Sequence, residues 1–169
     1  VLFTIVSLST TTGLLVTNYS LWPTFLPFLM MFLALIGGCS GSTSGGLKMI
    51  RCMLVKSQGH RELNRLIHPK AIYTIKMGKQ AMSDDIMSAV WGFISVFFAL
   101  FLFLLLLLLA LGLDFTTAFS ALVSCMSNTG AGIGKVAGSY AFLGARIKSI
   151  LIVAMLLGRL EVFTVIVLF

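Results

Sequence analysis

The first 47 residues contain no Asp, Glu, Lys, Arg or His. A soluble domain rarely leaves so long a stretch uncharged, because charged side chains make up about a quarter of an ordinary globular sequence. A second uncharged run, residues 86–113, is long enough to cross a bilayer as a helix. A third, residues 150–169, carries only Arg159 and Glu161. With 59% apolar and 10% charged residues in 169, the solvent for most of this chain is lipid.

The chain starts with Val, has no basic n-region followed by a cleavage site, and stops inside an apolar run, so it reads as a piece of a longer polypeptide. Cys39, Cys52 and Cys125 are odd in number and widely spaced, and His60 and His68 have no Cys or carboxylate at ligand spacing. Neither a disulfide framework nor a zinc site is expected.

The net charge of +7 sits almost entirely in one segment. Lys48, Arg51, Lys56, Arg61, Arg65, Lys70, Lys76 and Lys79 face only Glu62 between positions 48 and 79. Lying between membrane runs, this block follows the positive-inside rule, and no nucleic-acid partner is needed to explain it. With residues 48–85 cytoplasmic, 86–111 cross outward, 150 onward cross inward, and 114–145 begin and end outside. Ser83, Asp84 and Asp85 suit the amino end of the central span. The Leu run 104–109 is expected to face lipid, and Ser88, Ala89 and Gly92 to pack on another helix. Asp114 is expected to cap a helix over 115–125, which is too short to span and too apolar to lie in water, hence re-entrant.

An internal repeat carries the functional signal. Residues 5–13 (IVSLSTTTG) align with 122–130 (LVSCMSNTG) at a constant offset of 117, with apolar, Ser, small polar, Thr and Gly residues in the same order. Each copy reads as a short apolar helix, a polar turn ending in Gly, a polar linker and another apolar span. A dehydrated cation needs several oxygens at once, and membrane backbone supplies them only where it leaves helical geometry and faces a cavity. Glycine allows such a turn, and neighbouring Thr or Asn side chains brace it. No carboxylate lies in 1–13 or 115–130, which favours monovalent over divalent cations. A lone Thr-Gly is equally well a helix C-cap, but two copies in matching topological positions favour the cation loop.

The residues that follow resemble a known family. The string Gly37, Gly38, Cys39, Ser40, Gly41, Ser42, Thr43, Ser44, Gly45, Gly46, Leu47, Lys48, the turn Ser127, Asn128, Thr129, Gly130, and the segment from Gly158 and Arg159 to Thr164 are similar to the Trk-type potassium uptake proteins. The similarity lies in the TrkH and TrkG branch of the superfamily that includes Ktr and HKT, and it covers essentially the whole chain. It implies an all-α membrane protein of span, pore helix, filter, span repeats with re-entrant loops, part of a four-repeat pseudo-symmetric pore. Residues 1–56 would be the third repeat, its second span broken by an intramembrane loop. Residues 57–85 would be a cytoplasmic basic connector and 86–169 the fourth repeat.

The resemblance assigns the selectivity filter to Thr10, Thr11, Thr12 and Gly13 and to Ser127, Asn128, Thr129 and Gly130. It implies potassium as the transported ion held at those residues, with rubidium accepted, no covalently bound cofactor and no enzymatic activity. It also implies a homodimer surrounded by membrane lipid, a cytoplasmic TrkA-like nucleotide-binding regulator, and a multi-pass location in the bacterial inner membrane.

The helix entering near Leu21, with Trp22 as an interfacial anchor, is expected to run to about Leu35, or roughly 22 Å, short of a ~30 Å bilayer core. Residues 37–46 therefore lie at membrane depth, and the resemblance makes them a gate beneath the filter. The competing reading is one continuous helix with Gly37, Gly41 and Gly45 as a packing face. Arg159, with ten apolar-run residues after it, is a buried cation whose default reading is functional. Glu161 points to another helix face, so the resemblance sets Arg159 near the gate, while a structural pair with an unseen carboxylate is the alternative. An alternating-access cation transporter with inverted broken helices is the competing mechanism, and a non-transporting scaffold is a distant third.

Overall fold

The structure, a computed structural model, describes residues 2–16, 19–23, 25–39, 42, 45–67, 76–77, 80–81 and 84–159. Among them are six α-helices: α1 Leu2–Ser9, α2 Phe25–Ile36, α3 Met49–Ile67, α4 Asp84–Ala110, α5 Phe115–Met126 and α6 Ala145–Arg159. Tight 3-10 turns at Tyr19–Leu21 and Gly134–Val136 follow α1 and α5. A two-residue antiparallel ladder, β1 Lys76–Met77 with β2 Gln80–Ala81, lies in the basic segment and is the one departure from a helical architecture among the described residues.

The helix α4 is the long span. Its Ile86–Ala110 stretch has 25 residues and a mean hydropathy of 3.1 in its most apolar window. At 1.5 Å per residue it extends roughly 37 Å, more than a hydrocarbon core requires. Its packing corrects the sequence expectation at both ends. Ser88 and Ala89 are exposed, and Met87, Val90, Phe93 and Phe97 form the buried face instead. In the Leu run, Leu104, Leu105 and Leu108 are buried while Leu106 is exposed. The span carries apolar residues all round, so composition could not say which side meets protein.

The helix α2 starts at Phe25, later than Leu21, because the 3-10 turn and Pro23 occupy the approach. Pro27 sits in its first turn, where a missing N–H costs nothing. The helix ends at Ile36. The Leu47 N–H then donates to the Leu35 carbonyl at 3.0 Å and the Met49 N–H to the Gly38 carbonyl at 3.2 Å, pinching the base of an excursion before α3 begins. One continuous helix through Gly37 and Gly45 is therefore not what forms. The helix α3 continues unbroken to Ile67, so the boundary expected between 56 and 57 falls inside it. It is held to α4 by Leu54 packed with Met87 and Val90, and by the Arg51 guanidinium 3.9 Å from the centre of the Phe93 ring.

The short helix α5 is the centre of the molecule. It packs against α2, α4 and α6, and every residue from Thr117 to Met126 except Phe119 is buried. The Phe119 ring meets those of Phe28 and Phe32 from α2, Phe101 from α4, and Phe115. Asp114 stands at the N-cap position but makes no side-chain cap bond. Its carboxylate instead pairs with Lys135 at 2.9 Å, with both groups exposed.

Candidate functional site

The two turns after α1 and α5 match hydrogen bond for hydrogen bond. In the first, the N–H of Thr10 donates to Val6, that of Thr11 to Leu8, and those of Thr12 and Gly13 both to Ser7, at 2.9, 3.1, 2.8 and 3.3 Å. In the second, Ser127 donates to Val123, Asn128 to Cys125, and Thr129 and Gly130 both to Ser124, at 2.9, 3.1, 3.0 and 3.4 Å. Thr10 Oγ1 donates to the Val6 carbonyl at 2.7 Å and lies 2.8 Å from Thr12 Oγ1. Ser127 Oγ donates to Val123 at 2.7 Å and lies 3.1 Å from Thr129 Oγ1.

The dihedrals match as well. Thr11 and Asn128 both have φ +56, Gly13 has φ +76 and Gly130 has φ +75. The left-handed region costs nothing for Gly, is tolerable for Asn, and is a strained outlier for a β-branched Thr. These bonds consume the N–H groups of each turn. What remains to offer a cation is carbonyl and hydroxyl oxygen.

The turns also touch each other. A methyl group added at Gly13 would overlap the carbonyl oxygen of Thr129, so the two segments meet backbone to backbone. The extended segment leaving the second turn is held from two sides. Ser120 Oγ accepts from the Ile133 N–H and donates to the Ile133 carbonyl. Tyr19, 1% exposed, places its hydroxyl 3.1 Å from the carbonyls of both Ala131 and Gly132. Ser124 Oγ and the Tyr140 hydroxyl lie 2.8 Å apart behind the turn. Burial pushes the Tyr140 phenol up to about 12 against the lowering effect of Ser124, so it stays neutral as donor and acceptor.

Below the turns, the broken segment comes close. A methyl group at the buried Gly45 would lie 2.8 Å from the Ser127 carbonyl oxygen and 3.0 Å from Asn128 Nδ2. Asn128 Nδ2 donates to the Met155 carbonyl on α6 at 3.3 Å. One turn later Gly158 lies so close to the end of α5 that a methyl there would overlap the Met126 carbonyl. Arg159, next in α6, is exposed, not buried as its place in the apolar run predicts. A cavity of about 480 Å³ separates Ser9 and Thr10 from Gly37, Gly38, Cys39, Ser42 and Met49, and among the described residues no charged one lines it.

All eight turn positions expected from the sequence lie at these two sites. Gly37, Gly38, Cys39, Ser42, Gly45 and Gly46 are described, whereas Ser40, Gly41, Thr43, Ser44 and Glu161 fall outside the described residues. Among the described residues no group of three His, Cys, Asp or Glu side chains could hold a metal ion. Sequence reasoning passed over Tyr19, Ser120 and Tyr140, and named Gly158 only within a resembling segment, not for its close approach to α5. Their roles depend on contacts across 13 to 113 positions of chain or between helices, for which the local pattern carries no signal.

Known proteins share this arrangement. The family model described as TrkH, cation transport protein, matches residues 1–169. The Trk system potassium uptake protein TrkH of Vibrio parahaemolyticus is 48% identical over 167 residues, covering 99% of this chain and 34% of the relative. Its Escherichia coli K12 counterpart is 47% identical over 167 residues, with 99% and 35% covered. The Escherichia coli K12 protein TrkG is 36% identical over 163 residues, with 96% and 34% covered. The crystal structure of the potassium transporter TrkH from Vibrio parahaemolyticus superposes with a TM-score of 0.91 at 48% identity, covering 99% of this chain and 36% of that one. The chain thus spans about a third of the length of these relatives. It belongs to the TrkH family of cation transport proteins and is, like them, a membrane protein.

Proposed function

We propose that the full-length protein takes up potassium through a pore, and that this chain supplies two of its four filter segments, Thr10 to Gly13 and Ser127 to Gly130. The observation that carries this reading is the matching of the two turns, bond for bond and dihedral for dihedral, at the end of a short buried helix. Such turns present oxygens at membrane depth without a formal charge, which suits a monovalent cation that must bind and leave. The names of the relatives, potassium uptake proteins of the Trk system, support the choice of ion. Rubidium, close to potassium in size, is accepted as well.

In this reading residues 1–56 form the third repeat, 57–85 the cytoplasmic connector and 86–169 the fourth repeat. The segment 37–46 is the gate, and Arg159 sets a positive charge beside it that raises the barrier to cations. The close approach of Gly45 to Ser127 and Asn128, and the uncharged cavity under Thr10, support a gate directly beneath the filter. The protein works as a homodimer in the bacterial inner membrane, regulated by a cytoplasmic nucleotide-binding subunit of the TrkA kind.

Gly130→Ser in the full-length protein tests the filter. A side chain in the left-handed region costs about 1–2 kcal/mol, so the potassium over sodium preference falls roughly tenfold in competition uptake. An unchanged ratio at normal expression removes Gly130 from the filter.

A further inference from the structure

The strand just outside the second filter turn is anchored by a residue of the other repeat. Tyr19 follows Gly13 by six positions, in the 3-10 turn that leads to α2, yet its hydroxyl reaches across to the carbonyls of Ala131 and Gly132, at 3.1 Å each. A phenol has a single hydrogen, so the two carbonyls share it. These are the first two carbonyls after Gly130. The inner contact between the same two segments, Gly13 against the Thr129 carbonyl, is steric and brings them no closer than backbone contact allows. The outer contact is a directed hydrogen bond from a ring that is 1% exposed and enclosed by the core.

The pairing is one-sided. At the offset that relates the filters, Tyr19 corresponds to Val136, which is equally buried but has no hydrogen to donate. The bond is thus not a by-product of the repeat fold. In the filter reading, it ties one segment to its neighbour where their spacing would set the width of the ion path.

We propose that Tyr19 is a positioning residue for selectivity: by holding the Ala131 and Gly132 carbonyls from the neighbouring repeat, it fixes the separation of the third and fourth filter segments. Without that donor, the segment 131–133 keeps, among the described residues, only the Ser120 tie on its far side and relaxes toward a wider path that sodium, with part of its water, can use. The proposal rests on the filter reading above.

The test uses full-length protein in proteoliposomes and measures rubidium uptake in competition with sodium. Tyr19→Phe keeps the ring and removes the donor, and the rubidium over sodium ratio is expected to fall by roughly fivefold, the factor that one hydrogen bond of ordinary net strength represents. Placing 4-aminophenylalanine at position 19 returns a donor to the same point and is expected to restore the ratio. A residue of merely structural importance would lower thermal stability or yield and leave the ratio of the surviving protein unchanged. That result for Tyr19→Phe, with Gly130→Ser lowering the ratio in parallel, overturns the proposal and leaves the filter reading intact. If neither substitution moves the ratio, the filter reading fails and the proposal with it. Should the Phe variant not accumulate, the 4-aminophenylalanine protein decides alone: a wild-type ratio supports the hydrogen bond, and a lowered one overturns it.

Discussion

Thr11 and Asn128 carry the same positive φ, but at different cost. Asn visits the left-handed region with local help, whereas a β-branched Thr enters it only when surroundings over-determine the backbone. Here the Thr10 and Thr12 hydroxyls, 2.8 Å apart, and four consecutive N–H bonds into the helix supply that constraint. Gly13 and Gly130 share a dihedral but not an environment. A methyl at Gly13 would collide with the Thr129 carbonyl, whereas at Gly130 nothing lies within 4 Å among the described residues. Ala at either position pays for the left-handed angle, about 1–2 kcal/mol. Only Gly13→Ala must also push the two segments apart. Rubidium uptake at matched expression should therefore drop roughly tenfold for Gly130→Ala and be abolished for Gly13→Ala; equal losses at the two positions would contradict the contact.

Among the described residues, α5 and α6 share the most extensive helix-to-helix contact, and a glycine makes it possible. Gly158 lets α6 lie directly on the carbonyl end of α5, which in turn brings the Met155 carbonyl within reach of Asn128. The last carbonyls of a helix have no partner within it, so what covers them matters. Gly158→Val would force α6 away and cost about 1–3 kcal/mol by overpacking. Its expected signs are a lowered thermal transition in detergent and a disturbed turn at Ser127 to Gly130. Gly138→Ala and Gly144→Ala, where an added methyl meets nothing within 4 Å, serve as controls that leave the transition in place. A Gly158→Val protein as stable as these controls would refute the packing argument.

The two halves of the molecule are unequally covered. The helix α5 is enclosed by α2, α4 and α6, while its counterpart α1 exposes Leu2, Phe3 and Val6. Ser124 is partnered by Tyr140, but the equivalent Ser7 hydroxyl is buried without a partner among the described residues. The relatives are about three times as long as this chain, and under the proposed four-repeat pore such surfaces are where further repeats would pack. The proposed gate is tested at the same scale. Under the proposed gate, Arg159→Ala, or shortening of residues 41–45, should raise basal rubidium flux of the full-length protein several-fold, since each would remove an obstacle below the proposed filter. Flux that stays level or falls, in protein that still discriminates rubidium from sodium, would assign these residues a structural role instead.

Much of this was legible in one dimension. Uncharged runs bounded by Lys and Arg give membrane spans because lipid cannot solvate charge, and a helix too short to span must re-enter. The repeat at offset 117 located both turns, because the helix end, the polar brace and the glycine are neighbours in the chain and their geometry is local. The faces of α4 were not legible, since a helix that is apolar all round has no moment to orient it, and packing chose Leu104, Leu105 and Leu108 over Ser88 and Ala89. Nor was the true partner of Asp114, which caps by position while its carboxylate meets Lys135. The reach of Tyr19 to Ala131 and Gly132 depends on how one repeat leans on the next. Local pattern sets what each turn is; the docking of the repeats sets how far apart the turns stand, because that distance is made of contacts between residues more than a hundred positions apart.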